Sequence, residues 1–253
     1  MSIDGAIYAT QTTQRLREVS VQSYPAVRSA AETLARVIIG NGVVHVFGTG
    51  HSRAFAMEMA GRAGGLVPFH AMSLEDLALR GGWAAERVLD PKLERDPEVA
   101  HALWQLYRVA PQDALIVVSN SGGNGATVEM AVLAREKGLP VIAVTSLVHS
   151  RQVTSRHPSG KRLFEVADLV IDNGAPYGDA LLELPSQPDQ PAAAICAISS
   201  LTGALIAQML TAEIAGRLLA SGEEVPVLIS VNVTGGDEHN QRVRKRYEGR
   251  IDA

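Results

Sequence analysis

Val43-Val44-His45-Val46-Phe47-Gly48-Thr49-Gly50-His51-Ser52-Arg53 is the stretch that decides the fold. Val43 to Phe47 reads as a buried strand, rich in β-branched and aromatic residues. It breaks into Gly-Thr-Gly, and about Ser52 to Arg62 reads as a helix. Strand, glycine turn and helix together open a βαβ unit. The pattern then repeats. Leu66 to His70 reads as a second strand. Ala114 to Val118 is a third, wholly apolar and therefore central in a parallel sheet. Ser119-Asn120-Ser121-Gly122-Gly123-Asn124-Gly125 leads into a helix that ends near Gly138, a glycine suited to the C′ position. Val141 to Thr145 and Leu169 to Ile171 supply strands four and five. The reading is an α/β chain with a doubly wound, five-stranded parallel sheet.

Flanking segments complete the organisation. Residues 2–40 carry apolar positions at helical spacing, broken at Tyr24-Pro25 because a residue before proline resists the α region. Ala192 to Ala220 reads as one long helix, apolar on nearly every face, which suits a subunit interface. The connections 146–168 and 172–191 are rich in Ser, Gly, Pro and Asp, and long loops of that kind often carry function. One domain over residues 1–253 is expected, its core near 40–175 and wrapped by helices over 2–40 and 192–220.

Composition excludes several classes. The chain has 253 residues, with 23 Lys+Arg against 27 Asp+Glu and a net charge of −4, which argues against nucleic-acid binding. No secretory h-region opens it and nowhere do 18 apolar residues run together, so no membrane span is expected. Its single cysteine, Cys196, falls in the apolar run read as helix. One thiol permits no internal disulfide, in keeping with a cytoplasmic protein.

Two polar turns follow apolar strands. Gly48-Thr49-Gly50-His51-Ser52-Arg53 starts like a dinucleotide fingerprint, but Arg53 replaces the third glycine and strand two lacks a terminal acid, so no nicotinamide cofactor is expected. Either the turn offers backbone N–H groups and the Ser52 hydroxyl to an anion, or Ser52 is an ordinary helix cap. Ser119 to Asn124 adds hydroxyl and amide donors without charge. With strand order 2-1-3-4-5 the two turns flank the crevice where strand order reverses, the usual ligand position in such sheets. His157-Pro158-Ser159-Gly160-Lys161-Arg162 is not a nucleotide loop, since Arg162 stands where Ser or Thr is required. Asp237-Glu238-His239 lacks a spaced partner, so neither metal nor other cofactor is expected.

Through these two turns, and on to Val141-Ile142-Ala143-Val144-Thr145-Ser146, the chain resembles SIS (sugar isomerase) domain proteins. Among them it is similar to N-acetylmuramic acid 6-phosphate etherases and phosphoheptose isomerases. The resemblance implies a phosphorylated sugar as partner and a homodimer or homotetramer. It also implies phosphate contacts at Ser119, Ser121 and Asn124, with Asn120 and Gly122 in the same loop, and a sugar site lined by Gly50 and Ser52. Glu75, in Glu75-Asp76-Leu77-Ala78-Leu79-Arg80-Gly81-Gly82, matches the etherases' acid/base glutamate, and Glu94 falls where their second glutamate lies. The helical run Ala192–Ala220 has no histidine to match the isomerases' metal-binding one.

These residues suggest chemistry at C2 of an aldose or (N-acetyl)hexosamine 6-phosphate. A carboxylate removes the C2 proton, and the enediolate then isomerises or expels a C3 substituent. Glu75 is the expected base. His51 either polarises the carbonyl oxygen or merely begins a helix. Glu75 itself has the alternative of a dipole-favoured helix start. Glu129 either faces the crevice or is a surface residue. His239 and Asn240 either enter a neighbouring subunit's site or cap the tail. A non-catalytic sugar-phosphate sensor is the other functional reading.

Overall fold

The computed structural model describes residues 3–185 and 192–251. Helices α1 (Gly5–Gln22) and α2 (Tyr24–Ile39) open the chain. They part at Ser23, and Pro25 sits in the first turn of α2, where its missing N–H costs nothing. The Ser23 hydroxyl donates to the Asp172 carbonyl at 2.6 Å and ties this break to the sheet. There follow β1 (Val44–Gly48), α3 (Arg53–Met59), β2 (Phe69–Met72), α4 (Glu98–Trp104), β3 (Ala114–Val118) and α5 (Gly125–Glu136). Next come β4 (Val141–Thr145), β5 (Leu169–Asp172), β6 (Ala180–Glu183), β7 (Ala194–Ala197), α6 (Ser199–Ala220) and α7 (Gly236–Lys245).

Strands β1 to β5 form a parallel sheet in the order β2-β1-β3-β4-β5, the order expected of a SIS fold. Val44 lies opposite Phe69 and Ala114, and Phe47 opposite Met72 and Val117. Every residue of β1, β3 and β4 is buried, because helices cover both faces. On one face Leu34 and Ile38 of α2, Met59 of α3 and Ile206, Leu210 and Ile214 of α6 pack on Val44, Val46, Ile116 and Val144. On the other, Leu103 of α4 and Val128 of α5 pack with Phe47, Leu115, Val117 and Ala143. The flanking helices α2 and α6 therefore belong to the same core as the strands.

Four expectations need correction. The second strand is Phe69–Met72, not Leu66–His70. Pro68 has no N–H for a ladder, and the Val67 N–H goes instead to the Pro226 carbonyl at 2.8 Å, while Leu66 bridges Val227. The helix after the first turn begins at Arg53, because Gly50–Ser52 winds as one 3-10 turn, and it ends at Met59. Ala192–Ala220 is not one helix: Ala194–Ala197 pairs antiparallel with Ala180–Glu183. Helix α6 starts at Ser199 because the Asp179 carboxylate accepts from the N–H of Ile198 (3.3 Å) and of Ser199 (2.8 Å), as a capping residue would. Cys196 accordingly sits on an exposed strand, with φ of +68°, and not in a helix. Part of the expected connection 172–191 lies outside the described residues.

Candidate functional site

Both polar turns emerge at the carboxyl end of the sheet, after β1 and β3, and three cavities surround them. The first, of 280 Å³, is lined by Gly48, Thr49, Gly50, Arg53, Glu75, Asp90 and Glu94 among others. It brings together Glu75 and Glu94, the two glutamates that the resemblance picks out, 19 positions apart in the chain, beside the first glycine turn. Glu75 stands at the N-cap of a one-turn helix (Asp76–Leu79), but its side chain makes no capping bond. Its carboxylate accepts from the Arg53 guanidinium and the Ser73 hydroxyl. Burial pushes the Glu75 carboxyl up, but the Ser73 hydroxyl, a backbone N–H and Arg53 outweigh burial and hold it below the usual carboxylate range.

Glu94 links the two turns. One carboxylate oxygen accepts from the Thr49 hydroxyl of the first, and the other from the Asn124 amide of the second at 2.7 Å. The Asn124 carbonyl oxygen in turn accepts from Arg156 at 3.0 Å. The Asn124 side chain therefore bridges Glu94 and Arg156. Ser119 is buried, and its hydroxyl accepts from the Gly122 N–H at 3.1 Å, so it shapes the turn. Gly122 has φ of +61°, and a Cβ there would lie 2.9 Å from the Ser150 hydroxyl oxygen. Only glycine fits that bend.

A second cavity, of 500 Å³, is lined by Ser121 and Gly123 of the second turn together with His149, Arg156 and Tyr177. Residues 152–156, at the start of the segment 152–162, form part of its wall. That segment is held by the Arg156 N–H on the Gly123 carbonyl at 2.7 Å and by His157 on Glu129 at 2.6 Å. Glu129 also meets His101 at 2.8 Å, so it faces α4 and this segment, not the crevice. His149 accepts from the Gly178 N–H at 3.1 Å, and burial lowers its pKa against the opposing pull of Asp179. Arg156 has no carboxylate partner among the described residues.

His51, Ser52, Asn120, Asn173 and Ser199 line a third, narrow crevice of 20 Å³. Ser52 makes no capping bond. Asn120 accepts from the Asn173 amide at 3.0 Å. His51 is exposed and does not line the cavity of Glu75. His239 and Asn240 lie far along the chain, beside the start of β2. His239 bonds the Val227 carbonyl at 2.9 Å, and the Asn240 amide exchanges two bonds with Ile229, at 3.0 and 2.8 Å. These bonds hold the tail against its own chain. Arg156, His149 and Tyr177 were missed in the sequence because no spacing ties them to the glycine turns. No group of three or more His, Cys, Asp or Glu arranged to hold a metal occurs among the described residues.

Residues 7–146, more than half of the chain, match the SIS domain family. The chain belongs to that family. This SIS protein is 34% identical over 246 residues to a UPF0309 protein of Caldanaerobacter subterraneus, covering 97% of this chain and 98% of that one. It is 40% identical over 225 residues to a UPF0309 protein of Listeria innocua, covering 89% and 88%. In three dimensions it is similar to a phosphoheptose isomerase from Francisella tularensis, with a TM-score of 0.55, 19% identity and coverage of 83% and 95%. The corresponding enzyme from Neisseria gonorrhoeae gives a TM-score of 0.53 at 18% identity, covering 83% and 96%. At such identities the likeness is one of fold.

Proposed function

We propose that this SIS protein is an enzyme acting on an aldose or (N-acetyl)hexosamine 6-phosphate by removing the proton at C2. One observation carries the reading: Glu75 and Glu94 line a single cavity against the first glycine turn. Glu75 is held ionised and so is ready to accept a proton. Proton transfer from C2 to Glu75 leaves an enediolate from an aldose or an enolate from a hexosamine, whose C1 oxygen is stabilised by Arg53 and by backbone N–H groups of the turn. For an aldose, returning the proton to C1 while the O2 proton passes to O1 completes an isomerisation. Expelling the C3 substituent instead completes an elimination, and both outcomes fit the same residues. The phosphate is assigned to Ser121 and Arg156, where a guanidinium without a carboxylate partner among the described residues shares a cavity with a half-buried hydroxyl. Glu94 orients both turns, and His51, Ser52 and Asn120 border the sugar. The reading includes a cytoplasmic location and a homodimer or homotetramer.

A second reading, a non-catalytic sugar-phosphate sensor, is favoured by the ion pair that already occupies Glu75. Incubation with a panel of hexose, hexosamine and N-acetylhexosamine 6-phosphates in deuterium oxide separates the two. The enzyme reading expects deuterium at C2, abolished in Glu75→Gln while sugar-phosphate binding persists. Binding without exchange on every substrate leaves the sensor. Absence of both overturns both.

A further inference from the structure

Behind Glu75 lies a buried cluster that the chemistry above does not use. Tyr107 is its nearest member, with 7% of its surface exposed. Its phenol oxygen accepts from the Ser73 N–H at 3.0 Å and donates to the Asp76 carboxylate. The Ser73 hydroxyl donates to Glu75. One phenol thus ties down both sides of Glu75, through the backbone two residues before it and the side chain one after. The ring itself is wedged: its centroid lies 5.1 Å from that of His70 and 6.5 Å from that of His45, and the Arg80 guanidinium stands 5.1 Å above it. Farther back, His45 bonds Asp113 at 3.2 Å, and Arg250 from the tail meets the same carboxylate at 2.7 Å.

We propose that Tyr107 is a positioning residue for Glu75, holding the Ser73–Asp76 segment so that the Glu75 carboxylate points into the cavity. The inference rests on the role proposed for Glu75. Tyr107→Phe keeps the ring and its packing but removes both hydrogen bonds, so it probes orientation more than folding. The charged groups facing Glu75 are Arg53, Asp90 and Glu94 around the cavity, with Asp76 and Arg80 behind it. The Ser73 hydroxyl favours the ionised form of Glu75, so loosening it moves the carboxyl pKa upward.

The test is a carboxyl-carbon NMR titration of Glu75 in full-length wild type, Tyr107→Phe and Ser73→Ala, followed by deuterium exchange kinetics on the same proteins. In the titration Glu75 should protonate at higher pH in both variants. In the kinetics the exchange rate at saturation should fall roughly tenfold to a hundredfold, the cost of a misplaced group, with KM little changed and the acidic limb moved up. An unmoved Glu75 titration in a folded Tyr107→Phe protein overturns the proposal. So does a fall in kcat and melting temperature with the acidic limb unmoved, which marks a purely structural residue. If Glu75→Gln exchanges as fast as wild type, the role of Glu75 itself fails and the proposal falls with it. If Glu75→Gln is inactive but Tyr107→Phe matches wild type, only the role of Tyr107 fails.

Discussion

A carboxylate with no exposed surface, such as Asp113, survives folding only when its charge is met on every side. Asp113 is met by the N–H groups of Val43 (2.8 Å) and Ala110 (2.7 Å), by His45 and by Arg250. Burial pushes its carboxyl up, but His45, the two N–H groups and Arg250 outweigh burial and leave the pKa lowered. A depressed folded pKa means that the stabilisation is complete above the unfolded value, about 3.9, and is lost as the pH falls through the folded one. Denaturant melts across the acid range should therefore show stability falling below about pH 4 in the wild type. In Asp113→Asn that dependence should shrink, at a cost of about 1–3 kcal/mol at neutral pH from charge-assisted bonds lost. Equal acid slopes in the two proteins would sink the account. Site residues differ in how far they can be read locally. Glu75 is visible only through the family resemblance, because its local sequence reads equally as an ordinary helix start. Arg156 is not, since its position opposite Asn124 is made by a segment that returns 32 residues later.

Among the elements, legibility follows how much each owes to its own sequence. Strands β3 and β4 occupy the residues expected because their runs of five and four consecutive apolar side chains suit a strand covered on both faces. β2 moved because Pro68 cannot donate, and β6–β7 was hidden because Ala-Ile-Cys-Ala suits helix or strand alike until a capping Asp179 decides where α6 begins. The segment carrying Glu94 is placed in a similarly non-local way. It runs over the start of α5, where a Cβ on Gly125 would lie 2.2 Å from the Arg95 carbonyl oxygen and 2.9 Å from Pro97. Gly→Ala inside a helix ordinarily stabilises by up to about 1 kcal/mol. Here the clash is with backbone, so Gly125→Ala should destabilise by about 1–3 kcal/mol as the segment is forced away. The same shift should loosen the Glu94 bonds to Thr49 and Asn124. Thermal melts give the sign, and a variant as stable as wild type or more so would show that the segment yields freely.

At the scale of the whole molecule, α6 is the element that the single chain does not finish. Its inner face, Ile206, Leu210, Ile214 and Leu218, is buried in the core. Leu201 and Leu219 lie 18 residues apart, five turns, on one face, and are 43% and 67% exposed. Gln208, Ala212 and Gly216 continue that exposed stripe without a charge. By length and composition the helix would also suit a membrane, but its inner face is committed to the sheet. A second copy laid along the stripe would cover it and fits the homodimer or homotetramer of the proposed function. Small residues at its centre would let the backbones approach closely, and the leucines at its ends would bury apolar area at about 25 cal/mol per Å². Sedimentation of the wild type should then show an oligomer. Leu201→Glu combined with Leu219→Glu should give a folded monomer, because two buried charges facing their symmetry mates cost more than the leucines contribute. An oligomer unchanged by the double substitution would place the interface elsewhere, and a monomeric wild type would remove it altogether.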